Sequence, residues 1–225
     1  MAGPPYQTDD PVPTSYRGWE IYTGVQDENA QNGTQADAPF AEFNYGLLPS
    51  VQFSFSMPFS FMNGPGEVSH WSAGDFEVGL KYRFLQETDS RPQVAFYPSI
   101  EMPTGNGDYT KLLLPIWAQK TTGRTSVFGG GGWERNPGFG NRNFWSGGIA
   151  VTRQFSKVIN AGFEMYGNTT EAAIGKGSVS AGVGINDDFS DVHSVVLSVG
   201  TSVLGQRGLH VYGAYEFRLG SEAGK

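Results

Sequence analysis

The clearest structural signal in this sequence is the nonapeptide Phe76-Glu77-Val78-Gly79-Leu80-Lys81-Tyr82-Arg83-Phe84. Apolar or aromatic residues stand at every second position, and Glu, Gly, Lys and Arg fill the positions between them. Successive side chains of a β-strand point to opposite faces, so this period of two predicts a strand with one apolar and one polar face. The same alternation continues from this segment toward both ends of the chain.

Twelve segments follow the pattern, and no stretch keeps the apolar spacing of an amphipathic helix. They begin near Trp19, Phe40, Val51, Phe76, Gln93, Lys111, Thr125, Phe144, Ile159, Ser178, Ser194 and Leu209. The alternation is mixed after Lys111 and Phe144, and weakest after Thr125, where Gly129–Gly132 interrupts it. Each segment is close to the 9–11 residues that a tilted strand needs to cross a bilayer. Twelve such strands without a helical segment predict an all-β chain, and their even number is typical of bacterial outer-membrane barrels.

Composition narrows the classes of protein. The 225 residues include 32 glycines, about twice ordinary usage, while charged residues are 16% against a usual value of about 25%. The absence of cysteine excludes disulfides, thiolate zinc sites and cysteine nucleophiles, and a net charge of −7 disfavours nucleic-acid binding. No apolar run approaches the length of a membrane-spanning helix. A transmembrane β-barrel fits this composition, because its lipid-facing and lumen-facing residues alternate and average to mild polarity.

A soluble β-sandwich would show the same alternation with its apolar face buried. Here the polar faces carry mostly Gly, Ser, Ala, Gln and Tyr, and their charges come in both signs, which favours a confined interior over a solvated surface. The lengths of the connections also favour a membrane barrel, since those after even strands are tight and several after odd strands are longer. The longer ones are 27–35, 60–72, 134–141 and 168–177. We therefore predict a transmembrane antiparallel up-and-down β-barrel of twelve strands over residues 18–219, with periplasmic turns, external loops and both termini in the periplasm.

Three segments of the sequence resemble a known family. They are Gly3-Pro4-Pro5-Tyr6-Gln7-Thr8-Asp9-Asp10-Pro11 with the following Gly18-Trp19-Glu20-Ile21, the stretch 42–52, and the nonapeptide 76–84. The family is that of bacterial outer-membrane proteins labelled putative transporters of the meta-pathway of phenol degradation. The resemblance implies a bacterial outer-membrane barrel with a transport role, for hydrophobic or aromatic compounds. It implies no particular binding residues.

Charged residues on the polar faces are the main candidate site. We expect them to line the lumen, where they either select solutes along a narrow polar path or neutralise one another and brace the wall. They are Glu20, Glu42, Glu77, Lys81, Arg83, Glu101, Lys111, Arg153, Glu164, Glu216 and Arg218. The segment 1–17 has four prolines and the acidic pair Asp9 and Asp10, so it is either a small plug of the lumen or a leader against the periplasmic rim.

Aromatic residues near the strand ends suit the interface between lipid and water. They are Trp19, Tyr45, Tyr82, Phe84 and Tyr215. Histidines are few, with His70 expected in an external loop and His210 in the lumen, and His193 and Ser194 lie on opposite faces of one strand. The acidic turn at Asp187, Asp188 and Asp191 is interpreted as turn-forming rather than cation-binding. These observations predict no catalytic residue, no metal site and no cofactor.

The preferred function is an outer-membrane channel for small molecules, with membrane lipid and a small solute as its partners, no nucleic acid, and a monomeric state. The first alternative is a closed structural or adhesive barrel whose external loops bind partners, and an outer-membrane hydrolase is the second. The start of the chain lacks the pattern of a signal peptide, so we expect an export signal to have been removed. The stretch 220–225 is expected to be a C-terminal tail after the barrel.

Overall fold

The barrel is described here from a computed structural model, which describes residues 4–30, 33–63, 68–104, 109–205 and 208–220. The strands are β1 (Trp19–Ala30), β2 (Gly33–Leu48), β3 (Val51–Asn63), β4 (His70–Ala73 and Phe76–Leu85), β5 (Gln93–Phe96 and Ser99–Met102), β6 (Lys111–Thr122), β7 (Thr125–Arg135), β8 (Phe144–Gln154), β9 (Ile159–Asn168), β10 (Ser178–Asp187), β11 (His193–Leu204) and β12 (Gly208–Leu219). Among the described residues, no helix is long and apolar enough to cross a membrane.

The twelve strands form one closed antiparallel barrel. Each strand pairs with the next along the chain, and β12 returns to β1 with Leu219 opposite Trp19. The two segments of β4 both pair with β3, and the two segments of β5 both pair with β4 and β6, so each behaves as one interrupted strand. The predicted all-β barrel of twelve strands is therefore confirmed.

Two of the predicted long loops are wrong. The stretch 27–35 belongs mostly to a β-hairpin, in which Asp27 pairs with Ala36, and part of 60–72 extends β3 and starts β4, with Met62 opposite His70. The alternation of apolar residues ends before the ladder does, because strand pairing uses backbone hydrogen bonds and does not require apolar side chains. The hairpins therefore continue beyond the apolar part of the barrel.

The two ends of the barrel differ in their connections. We call the end that carries the connections 49–50, 86–92, 123–124, 155–158 and 188–192 the turn end, and the opposite end the loop end. At the turn end, the Glu87 carboxylate accepts hydrogen bonds from the backbone N–H of Thr121 (2.8 Å) and from Lys120 Nζ (3.1 Å). Both bonds favour the ionised carboxylate, so the pKa of Glu87 lies below its ordinary value. These contacts fasten two neighbouring turns together.

Large apolar side chains cover the outward face of the barrel. Val25, Phe53, Leu80, Ile149 and Val183 are all exposed, each on a different strand. A soluble protein rarely exposes a continuous apolar surface of this kind, whereas a lipid-facing wall requires it.

The predicted interface aromatics lie on this outward face toward the turn end. Trp19 and Tyr45 face each other across β1 and β2 with ring centroids 4.6 Å apart, and Tyr82 and Phe84 follow one another on β4. Tyr215 contacts the rings of Phe189 and His193. Their position suits an aromatic girdle; that role stays a prediction.

Candidate functional site

Ten of the eleven predicted lumen charges lie on the inward face of the barrel. Glu42, Lys81, Glu164 and Glu216 are buried, and Glu20, Glu77, Arg83, Glu101, Lys111 and Arg218 share their strand faces with buried residues. Arg153 is the exception, because it is exposed on the same outward face of β8 as Ile149 and Val151. The small, mixed residues of β8 gave no clear apolar face, so its parity could not be read from the sequence. The role of these charges in solute selection stays a prediction.

The N-terminal segment, residues 4–17, contacts inward residues on opposite walls of the barrel. On one wall, Tyr6 Oη donates a hydrogen bond to the Gly184 carbonyl of β10 (3.1 Å). The backbone N–H groups of Gln7 and Thr8 donate to the two oxygens of the Glu164 carboxylate on β9, at 3.1 and 2.9 Å. The Tyr6 ring also meets Phe128 of β7 edge-on, with centroids 5.9 Å apart.

On the other wall the segment is held by a buried ion pair. Lys81 Nζ of β4 lies 3.0 Å from Asp9 Oδ1 and donates a second hydrogen bond to the Asp10 carbonyl (2.9 Å). Lys81 is 4% exposed and Asp9 is 1% exposed, so the pair is removed from solvent. Lys81 also lies 4.9 Å from the centre of the Tyr97 ring, a cation–π distance.

The segment then leaves the lumen along the wall toward β1. Thr14 N donates to Gln52 Oε1 (2.8 Å), and Thr14 Oγ1 donates to Glu20 Oε2 (3.1 Å). The Arg17 backbone N–H donates to the Gly46 carbonyl (2.7 Å), where β1 is about to begin. The segment therefore crosses the interior from β10 to β2. A plug role stays a prediction.

Glycines on the inward face make room for the segment. A Cβ at Gly184 would lie 2.8 Å from the Tyr6 ring, and one at Gly148 would lie 2.3 Å from Thr8 Oγ1. Gly46 is equally restricted, because a Cβ there would lie 1.9 Å from the Ser15 carbonyl oxygen. The excess of glycine in this sequence thus has a local cause at these positions.

A chain of buried polar side chains extends the contact at Thr14 into the wall. Gln52 Nε2 donates to Asn44 Oδ1 and to Ser54 Oγ, both at 2.9 Å, and Ser54 Oγ donates to the same Asn44 oxygen (2.6 Å). Asn44 Nδ2 in turn donates to Glu42 Oε1 (2.7 Å). Buried polar groups of this kind are rigid when all are satisfied, so this wall offers the segment a fixed surface.

Other lumen charges pair with one another. Lys111 Nζ lies 2.5 Å from Glu101 Oε1 on the neighbouring strand, and Arg218 contacts Asp188 and Glu216. Arg83 instead donates to Gln93 Oε1 (3.0 Å). These contacts fit a network that braces the wall of the barrel.

A cavity of about 1210 Å³ lies between the N-terminal segment and the loop end. Pro4, Tyr6 and Gln7 line it from the turn side, and residues of the 169–177 connection line it from the loop side. The candidate site residues predicted from the sequence did not include three of its inward wall residues: Trp117, Phe144 and Ser146. Trp117 lies on the same face of β6 as Lys111, which was predicted to be inward, but its aromatic side chain was not taken as a site residue. Phe144 and Ser146 lie on the face of β8 opposite to Arg153, so there the parity of the strand was the signal that failed.

The histidines lie far apart in the fold. His70 stands in the first segment of β4, not in a loop as predicted, and His193 stacks on Phe217 at the turn end. His210 lines the cavity beside the Tyr166 ring. Within the described ranges, no group of three or more His, Asp or Glu side chains could hold a metal ion.

The fold of this chain is similar to that of several solved structures. No protein-family model matches the chain, and no curated protein has a significantly similar sequence. Among solved structures, the COG4313 outer membrane channel from Pseudomonas putida F1 is similar with a TM-score of 0.79 at 10% identity, covering 95% of this chain and 100% of that one. The KdgM porin in complex with disordered oligogalacturonate gives 0.62 at 11% identity over 88% and 98%.

A third similar structure is the CymD monoaromatic hydrocarbon channel, with a TM-score of 0.52 at 7% identity over 92% of this chain and 89% of that one. At these identities the likeness concerns the fold. With these outer-membrane channels and porins the chain shares the fold of a closed antiparallel β-barrel, built here from twelve strands.

Proposed function

We propose that this protein is an outer-membrane channel that admits small solutes from the loop end, with its turn end in the periplasm. The observation that supports this most directly is the cavity of about 1210 Å³, which extends from the loop end to the N-terminal segment inside an apolar outward wall. A barrel that served only as an anchor would have no need of such a volume. The short connections at the turn end favour the stated orientation.

In this proposal the N-terminal segment closes the turn side of the lumen at rest. Its support is the set of contacts to Glu164, Gly184, Lys81 and Gln52, which fix it to opposite walls. The same filling favours the second candidate, a closed structural barrel whose loops bind partners. The two candidates differ in one respect: in a channel the N-terminal segment leaves the lumen at times, whereas in a closed barrel it never does.

The solutes proposed for the channel are small hydrophobic or aromatic compounds. The family resemblance supports this class, and so does the similar fold of a channel for monoaromatic hydrocarbons. The cavity has a matching lining, because Phe40, Tyr97, Trp117 and Phe144 all contribute aromatic surface to it.

Planar-bilayer conductance of two folded proteins tests the proposal: the full chain and a variant that lacks residues 4–16. We expect brief openings in the full chain and long-lived, larger conductance in the variant. Heat-dependent mobility in detergent gels verifies that each barrel is folded. If both folded proteins give no conductance and no solute uptake in liposomes, the channel proposal is wrong and the closed barrel stands.

A further inference from the structure

The run Gly129–Gly132 leaves a bare strip on the inner wall. On β7, no side chain enters the lumen between Phe128 and Glu134, because the inward positions between them are Gly130 and Gly132. These glycines are required by the backbone, since a Cβ at Gly132 would lie 2.4 Å from the Leu114 carbonyl oxygen and from Pro115 Cα. At about 3.3 Å per residue, the strip from Phe128 to Glu134 is roughly 20 Å long.

The neighbouring strands frame this strip with aromatic and polar groups. Across one ladder, Trp117 stands opposite Gly130 and Leu113 opposite Glu134. Across the other ladder, Phe144 stands opposite Glu134 and Ser146 opposite Gly132. We call Trp117, Gly132, Glu134, Phe144 and Ser146 the glycine recess; all five line the cavity.

Charge in the cavity favours cations. Its described lining includes five glutamates, Glu42, Glu77, Glu101, Glu134 and Glu171, against one lysine, Lys176. Glu101 is already paired with Lys111, whereas no basic side chain of the described ranges lies within 4 Å of Glu134. Glu134 instead accepts a hydrogen bond from Ser146 Oγ. An anionic solute would meet repulsion along this wall.

Trp117 supplies an independent sign of a ligand. It is only 7% exposed, it lines the cavity, and its Nε1–H has no hydrogen-bond partner among the described residues. An indole N–H can only donate, so a group that completes this site must carry an acceptor oxygen or nitrogen. Buried polar groups are normally paired, which makes this orphan donor informative.

We propose that the glycine recess binds a hydroxylated aryl-alkyl amine. The ammonium group pairs with Glu134, the ring lies flat over Gly132 between Trp117 and Phe144, and the hydroxyl oxygen accepts from Trp117 Nε1. Along β7, Glu134 is four residues from Gly130, the residue opposite Trp117, so the two backbone positions are about 13 Å apart. The Glu134 and Trp117 side chains reach toward each other and shorten the distance that the ligand must span. Aromatic walls also attract organic cations. This inference rests on the proposed channel function and names its solute class.

Isothermal titration of the folded full chain in detergent tests the inference, with four matched probes. Tyramine carries both groups, 4-ethylphenol lacks the ammonium, 3-(4-hydroxyphenyl)propionate reverses the charge, and 2-phenylethylamine lacks the hydroxyl. We expect tyramine to bind at least tenfold more tightly than each of the other three. Equal affinity for tyramine and the propionate would overturn the proposal.

Single substitutions then test each proposed contact between tyramine and the glycine recess. Glu134→Gln should reduce tyramine affinity at least tenfold, and Trp117→Phe should weaken tyramine without changing 2-phenylethylamine. Glu87→Gln, at the turn end, is the matched control and should change neither. Unchanged tyramine affinity in folded Glu134→Gln overturns the site. If Glu134→Gln does not fold, unchanged tyramine affinity in folded Trp117→Phe overturns it instead. Because the assay measures binding, a barrel that prefers tyramine but never conducts refutes the channel function, whereas one that conducts without this preference refutes the recess.

Discussion

The ion pair between Lys81 and Asp9 should govern how often the N-terminal segment leaves the lumen. Lys81→Met keeps the length and apolar stem of the side chain but removes its charge, its ion pair and its hydrogen bond to Asp10. Asp9 would then remain 99% buried without its partner. Leaving one charge of a buried pair uncompensated costs about 3–5 kcal/mol. At about 1.4 kcal/mol per factor of ten, undocking should become two to nearly four orders of magnitude more frequent.

The assay uses the absence of native cysteine. In a Thr8→Cys background the single thiol replaces a side chain that is fully buried against the barrel wall. Its labelling by a large maleimide requires undocking, and under fast reclosure the rate follows the undocked population. We expect Lys81→Met to raise the labelling rate at least about 100-fold.

Two comparisons make this prediction refutable. Lys120→Met removes a partly exposed ion pair that lies at the turn end and makes no contact with the N-terminal segment, so it should leave the rate unchanged. Asp9→Leu combined with Lys81→Met removes both charges and should restore most of the slow rate. The reasoning fails if Lys81→Met labels as slowly as the parent, or if the double variant labels as fast as the single one.

Three further predictions use the same labelling assay or a folding assay. Gly184→Val should displace the Tyr6 ring and raise labelling at least tenfold, whereas Ser180→Val, on the same inward face of β10 but opposite Tyr166, should not; equal rates would remove the specific role of Gly184. Glu164→Gln weakens two charge-assisted hydrogen bonds and should raise labelling about tenfold, less than Lys81→Met; no change would contradict the contact. Leu80→Arg should destabilise the barrel in lipid by about 2–4 kcal/mol in urea titrations, and Leu80→Met by less than 1.5; equal effects would contradict the outward assignment.

Strand number and closure were predictable because the pattern that encodes them is local. A period of two is visible within five residues, as in Val78-Gly79-Leu80-Lys81-Tyr82, and twelve repeats of it imply a closed sheet. The ends of the strands were less predictable. Asp27 and Ala36 pair although neither continues an apolar face, because the hairpin is held by backbone hydrogen bonds that leave no mark on side-chain pattern.

The interior was only partly predictable. The inward position of Lys81 follows from the parity of β4, but its partner Asp9 lies 72 residues away, and no local pattern links the two. On β8 the parity itself was ambiguous, because small residues such as Gly147, Gly148 and Ala150 left no clear apolar face, and Arg153 was placed inward. Phe144 was missed for this reason, whereas Trp117 lay on the predicted inward face of β6 but was not recognised as a site residue. The glycine recess emerges only when the registers of β6, β7 and β8 are known.

The contacts of the N-terminal segment have a consequence for the order of assembly. Tyr6 donates a hydrogen bond to a residue 178 positions later in the chain, and Thr8 to one 156 positions later, on strands that are synthesised well after the segment. Contacts between such distant residues form slowly, because a long stretch of chain must first be ordered. The N-terminal segment is synthesised before the strands that hold it, and it is therefore placed only after β9 and β10 have paired. Burial of Thr8 can accordingly serve as a marker of completed assembly, which is a later event than the formation of β-structure.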